Sequence, residues 1–145
     1  MRPDGFRAAG LLIAAAAHGV GAQSVGGPVM AAIPLACAAI AVAEGDDLVG
    51  FFVRKERKEH GLQRWVEGPV EAGTSCLVVE DTVTTGGSTV AAIERIREEG
   101  LEIRGALCVV DRLAGGSEAI AEAARAPFQA LVTIDEIYPD RPDRA

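Results

Sequence analysis

Leu77-Val78-Val79-Glu80-Asp81-Thr82-Val83-Thr84-Thr85-Gly86-Gly87-Ser88-Thr89 is the stretch from which the fold can be read. An apolar run ends in two adjacent carboxylates, a loop of Thr, Gly and Ser follows, and a helical pattern opens at Val90. That order suits the carboxyl end of a parallel strand. Glycines let the backbone approach a phosphate, the next helix offers unpaired N–H groups, and hydroxyls fill the remaining bonds. Adjacent acids beside an anion site suit sugar hydroxyls or a divalent cation. Together the parts describe a site for a ribose phosphate.

Two nucleotide-binding patterns are excluded. A P-loop needs Gly-Lys-Ser/Thr at a fixed spacing, and none follows here. Gly19-Val20-Gly21 follows a helix, and Ser24 stands where a dinucleotide fingerprint needs its third glycine.

Outward from this stretch, strand and helix patterns alternate. Helices are expected at 6–18, 29–43 (with Pro34 kinking or starting it), 88–99 and 117–125. Strands are expected at 23–25, 48–53, 75–79, 103–110 and 128–134. Trp65 to Val70 reads as a further strand or a hairpin arm. Arg54 to Arg64 carries charge and glycine without a core face, as a long mobile loop does. This alternation predicts an α/β fold with a doubly wound, mostly parallel five-stranded sheet. Ligands of such sheets sit beyond the carboxyl ends of the strands. Gly26-Gly27, Arg54, Glu80-Asp81 and Asp111-Arg112 all fall there.

Composition agrees. The 145 residues are 49% hydrophobic but only 4% aromatic, so Val, Ile, Leu and Ala must build the core. One domain is expected over residues 1–137, with a loose tail at 138–145. A net charge of −7 argues against general nucleic-acid binding. Cys37, Cys76 and Cys108 read as core residues in a reducing cytosol, without metal-ligand spacing. His18 also reads as a packing residue. The run from Ala8 to Ala17 imitates a secretory signal, but Asp4 and His18 interrupt it and it is too short to span a membrane.

Glu80 to Thr89 resembles the phosphoribosyl pyrophosphate (PRPP) motif of type I phosphoribosyltransferases. Three other segments resemble the orotate phosphoribosyltransferases: Gly26-Gly27-Pro28 through Ile33-Pro34-Leu35-Ala36, the Arg-Lys-x-x-Lys-x-His-Gly run from Arg54 to Gly61, and Val109-Val110-Asp111-Arg112. The resemblance runs from about Arg2 to Ile137, without the family's usual N-terminal hood segment ahead of Met1. It implies transfer of phosphoribose from PRPP to orotate, with Mg²⁺ carried by PRPP near Asp81, in a cytoplasmic homodimer.

The resemblance also assigns residues. Glu80 and Asp81 would hold the ribose hydroxyls. Thr82, Val83, Thr84, Thr85, Gly86, Gly87 and Ser88 would line the PRPP site, with Thr84 to Thr89 around the 5′-phosphate. Arg54, Lys55, Lys58 and His60 would bind pyrophosphate, and Lys58, His60 and Asp81 would be catalytic. Arg112 would pair with the orotate carboxylate, and Thr84 would touch the base. Ala31 stands where some members carry a lysine. The plainer alternatives are a solvated charge run at 54–60, disfavoured by its place after an apolar strand and by His60 within the cations, and a strand-end ion pair at Asp111-Arg112. Two further readings stay open at this point: transfer to another base, and a PRPP-binding regulatory module without turnover.

Overall fold

The computed structural model describes residues 2–43, 48–56 and 64–142. Among them, six strands form one sheet: β1 (Ser24–Pro28), β2 (Val49–Val53), β3 (Val66–Glu67), β4 (Ser75–Val83), β5 (Glu102–Asp111) and β6 (Phe128–Thr133). They lie in the order β3-β2-β1-β4-β5-β6. All pairings are parallel except β2 with β3. The expected five strands become six because the arm ending the 54–64 segment pairs with β2, through Phe52↔Glu67 and Val53↔Val66. The helices are α1 (Pro3–Gly19), α2 (Ala32–Val42), α3 (Gly87–Glu98), α4 (Gly116–Ala124) and the short α5 (Ile134–Ile137).

Alternating side chains of the strands feed two separate cores. Leu77 and Val79 of β4 join Val25 and Leu107 against Ile13 and Ala17 of α1 and Ala36 and Ala39 of α2. Cys76 and Val78 turn the other way, onto Ile93 and Ile96 of α3 and Ile120 of α4. Ile13, Ile93, Ile96 and Ile120 are fully buried, and each such side chain stabilises the fold by roughly 1.5–3 kcal/mol. With few aromatics, the helices must come close. At Gly10 of α1, an added Cβ would sit 2.4 Å from the Ala38 carbonyl oxygen of α2.

The helix starts follow local chemistry. Pro3 occupies the first turn of α1 beside Asp4, where a missing N–H costs nothing and an acid favours the dipole. Pro34 likewise falls in the first turn of α2, so it marks the beginning of that helix and not a kink. Among the described residues no helix is long and apolar enough to cross a membrane. Two packing expectations fail. Cys37 is exposed on the outer side of α2, and His18 is exposed near the end of α1.

Strand order reverses between β1 and β4: the chain builds outward to β2 on one side and to β5 and β6 on the other. The crevice at this switch point, beyond the carboxyl ends of β1 and β4, is where an open sheet of this kind takes its ligand.

Candidate active site at the strand ends

Two strands run further into this crevice than their residue types suggest. β4 continues through Glu80, Asp81, Thr82 and Val83, with Thr82↔Val110 and Val83↔Asp111 still in register with β5. β1 continues through Gly26-Gly27-Pro28, in register with Phe51, Phe52 and Val53 of β2. The glycines are required by this closeness. A Cβ at Gly26 would lie 2.1 Å from the Phe51 carbonyl oxygen, and one at Gly27 would lie 2.2 Å from that of Val79.

Because Glu80 and Asp81 are strand residues, they point to opposite faces. Glu80 is buried, on the α3 side with Cys76 and Val78. Its carboxylate accepts the Thr89 hydroxyl at 3.0 Å, the Ser88 hydroxyl at 3.4 Å and the Asp81 N–H at 3.3 Å. Burial pushes the Glu80 carboxyl above its ordinary range, the hydrogen bonds from Thr89 and Asp81 pull it back, and the charge of Asp81 raises it again. Asp81 is exposed on the α1–α2 side. Its Oδ1 accepts the Thr82 N–H at 2.6 Å. With Thr82 it borders an apolar groove of about 580 Å³ that Phe6, Pro34 and Leu35 also line.

Past Val83, residues 82–89 wrap a hollow of about 170 Å³. Gly86 caps α3 with φ 77°, a left-handed conformation that glycine adopts freely. The first intrahelical bond runs from the Val90 N–H to the Gly86 carbonyl at 2.9 Å. N–H groups in a helix's first turn have no intrahelical acceptor and suit an anion. Ser88 is exposed beside the hollow, whereas Thr89 is buried with its hydroxyl turned to Glu80. Thr89 therefore lines the hollow with its hydroxyl bonded to Glu80.

The end of β5 is tied to this loop. The Arg112 N–H donates to the Val83 carbonyl at 2.9 Å, and a Cβ at Gly116 would meet the Thr84 carbonyl oxygen at 2.6 Å. Asp111 is buried and accepts the Leu113 N–H at 2.8 Å, which helps hold Leu113 at φ 57°. It is a loop-shaping acceptor and not half of a strand-end ion pair. Arg112 is exposed.

At the end of β2, Arg54 is half-buried. Its guanidinium lies 3.4 Å from Glu67 of β3, and the Arg54 backbone N–H donates to the Trp65 carbonyl at 2.9 Å. Arg95 of α3 donates to the Arg54 carbonyl at 2.8 Å and stacks 4.2 Å over the Trp65 ring. Trp65 donates its indole N–H to Glu98 at 2.9 Å and its backbone N–H to Glu99 at 2.7 Å. Trp65 thus fastens the chain entering β3 to α3. Lys55 is exposed next to Arg54. Lys58 and His60 lie outside the described residues, so the full cationic cluster is known from sequence alone. Cys76 and Cys108 are buried and their thiols are pushed up to about 12, chiefly by desolvation, which leaves them protonated core residues.

The strand-end arrangement has counterparts among known proteins. Residues 24–127 match the phosphoribosyl transferase domain. The chain belongs to the phosphoribosyltransferase family. An orotate phosphoribosyltransferase of Rhodopirellula baltica is 46% identical over 106 residues, covering 72% of this chain and 55% of the relative. The chain thus spans little more than half the length of that relative. Among solved structures, orotate phosphoribosyltransferase of Mycobacterium tuberculosis H37Rv in complex with Fe(III) dicitrate superposes with a TM-score of 0.81 at 36% identity, over 91% of this chain and 74% of that one. The same enzyme in complex with PRPP gives 0.78 at 32% identity, over 91% and 75%.

Proposed function

We propose that this phosphoribosyltransferase transfers the 5-phosphoribosyl group of PRPP to orotate, giving orotidine 5′-monophosphate and pyrophosphate in pyrimidine nucleotide synthesis. The observation that carries the reading is the carboxyl edge of the sheet around the β1–β4 switch point, which carries a carboxylate, a phosphate-sized loop and two arginine-bearing strand ends. Thr84, Thr85, Gly86, Gly87 and Ser88, with the start of α3, take the 5′-phosphate, and Thr82 and Val83 complete the wall. Asp81 holds the ribose hydroxyls, with Glu80 behind it. Arg54, Lys55, Lys58 and His60 take the pyrophosphate, and Thr84 and Arg112 face the orotate. The structure of the M. tuberculosis relative in complex with PRPP supports the choice of donor. The protein works in the cytosol as a homodimer.

In this reading N1 of orotate bonds to the anomeric carbon as the C–O bond to pyrophosphate breaks, through an oxocarbenium-like state, and the N1 proton passes to solvent or to the departing pyrophosphate. The ribose gains positive charge while the leaving group gains negative charge. Asp81 answers the first, and the loop cations answer the second. The enzyme acts by positioning and by fixed charges and dipoles. Mg²⁺ would arrive on the diphosphate beside Asp81 and neutralise part of its charge. The donor set fits this, since Mg²⁺ is usually held by one or two carboxylates plus substrate phosphates. Among the described residues no cluster of three or more His, Cys, Asp or Glu offers a site built by protein alone.

The test is orotate consumption, followed by ultraviolet absorbance, with PRPP and Mg²⁺. Wild type should turn over, and Lys58→Ala should lose about 10²–10³-fold in kcat, the usual effect of removing one transition-state donor. Equal rates would remove Lys58 from the mechanism, and no wild-type turnover would sink the proposed activity. Arg112→Ala should raise KM for orotate about 10- to 100-fold, the value of a charge-assisted hydrogen bond. KM for PRPP should stay within twofold, because Arg112 reaches the base and not the sugar phosphate.

A further inference from the structure

The sequence pairs Glu80 with Asp81, yet the fold separates them. Asp81 is exposed beside the groove, whereas Glu80 is only 5% exposed and faces the first turn of α3. A buried carboxylate is stable in one orientation only where donors meet it. Glu80 has Thr89 at 3.0 Å, and Thr89 is itself only 2% exposed. Ser88 at 3.4 Å is the weaker partner, and it is exposed beside the phosphate hollow. Both hydroxyls reach Glu80, but the buried Thr89 makes the shorter bond, whereas the exposed Ser88 is free to turn to a ligand.

We propose that Thr89 is a positioning residue for PRPP. Its buried hydroxyl fixes the Glu80 carboxylate and so ties the ribose end of β4 to the first turn of the phosphate-binding helix. This rests on the PRPP reading of the site. Strand and helix also pack through Val78 and Ile93 and are linked by residues 84–86, but among these contacts the Thr89–Glu80 bond is the short polar one at the phosphate end. Because Glu80 is met by side-chain hydroxyls of α3, the first-turn N–H groups are left for a phosphate. With the donor removed, the carboxylate would turn toward the helix N-terminus and compete with that phosphate.

The experiment compares Thr89→Val, which keeps the shape without the donor, with Thr89→Ser, which keeps the donor. PRPP binding is measured by calorimetry on the full chain with Mg²⁺, and steady-state KM and kcat are measured for both substrates. Thermal melts show that each variant is folded at the assay temperature. Wild-type binding of PRPP tests the functional reading itself, since its absence would overturn that reading whatever the variants do. Given wild-type binding, Thr89→Val should raise Kd and KM for PRPP about tenfold, with KM for orotate unchanged and Thr89→Ser within twofold of wild type. The positioning role is overturned if Thr89→Val binds PRPP like wild type, if Thr89→Ser is as weak as Thr89→Val, or if the loss falls equally on orotate. A Thr89→Val variant that does not fold leaves Thr89→Ser and Thr89→Cys to decide: equal PRPP affinity in the two, despite the much weaker thiol donor, would overturn the role.

Discussion

Asp81→Asn should lower kcat/KM for PRPP about 10²-fold while leaving the melting temperature within about 2 °C of wild type. The size follows from charge. An oxocarbenium-like ribose about 5 Å from a carboxylate, at an effective dielectric constant of about 20, is stabilised by roughly 3 kcal/mol. That is about two powers of ten in rate. Asparagine keeps the shape and an oxygen that can accept the Thr82 N–H, which now bonds Oδ1 at 2.6 Å, so the loss should fall on function. Asp81 is exposed, and exposed substitutions outside packing or buried networks usually change stability by less than about 0.5 kcal/mol. Steady-state kinetics beside a thermal melt separate the two effects. A fall in melting temperature with unchanged kinetics would contradict the role given to Asp81.

Gly27→Ala should cost more than about 4 kcal/mol and leave little soluble folded protein, which places it in the exceptional tail of single substitutions. The added Cβ would lie 2.2 Å from the Val79 carbonyl oxygen and 3.1 Å from the Ala32 Cβ. The first of these is backbone of the central strand, which cannot swing away as a side chain can. Total stability of a domain this size is about 5–15 kcal/mol, so one such insertion uses much of it. Gly5→Ala is the control, because a Cβ there meets nothing within 4 Å, and a helix favours alanine over glycine by about 1 kcal/mol. Urea denaturation of both variants checks the contrast. Equal stability of the two would show that β1 and β4 do not approach as described.

The alternating pattern, the parallel sheet and the positions of the strand ends were legible because each rests on a strong local signal. Val-rich runs bounded by Gly and charge mark buried parallel strands, and helical periods between them force crossovers. The ends of the strands were harder. Glycine and acids are poor strand formers, so β1 reads as stopping at Val25 and β4 at Val79. In the fold, β2 carries the ladder of β1 on to Pro28, and β5 carries that of β4 on to Val83.

That extension decides what the acids do. Read as loop residues, Glu80 and Asp81 form one pair; on a strand, they face opposite ways, and only Asp81 borders the groove. Asp111 and Arg112 part for a different reason: β5 ends at Asp111, whose buried carboxylate turns to the Leu113 N–H, while Arg112 lies beyond the strand and is exposed. β3 spans two residues, too short for any periodicity, so the sixth strand had no signal beyond the hairpin-arm reading of Trp65 to Val70. Cys37 was misplaced because α2 is apolar on nearly every side, which leaves its outward face unmarked in the sequence. Thr89 carried one signal that was available: a threonine nine residues past a carboxylate, at the third turn-forming position of a helix that starts beside it.

The most direct test of the central claim is phosphorus NMR of PRPP with Mg²⁺ and the protein, with orotate, with uracil, and with no base. The account predicts that resonances of pyrophosphate and of a new phosphomonoester grow together only when orotate is present. PRPP unchanged in the presence of orotate, or pyrophosphate released as fast with uracil, would contradict it.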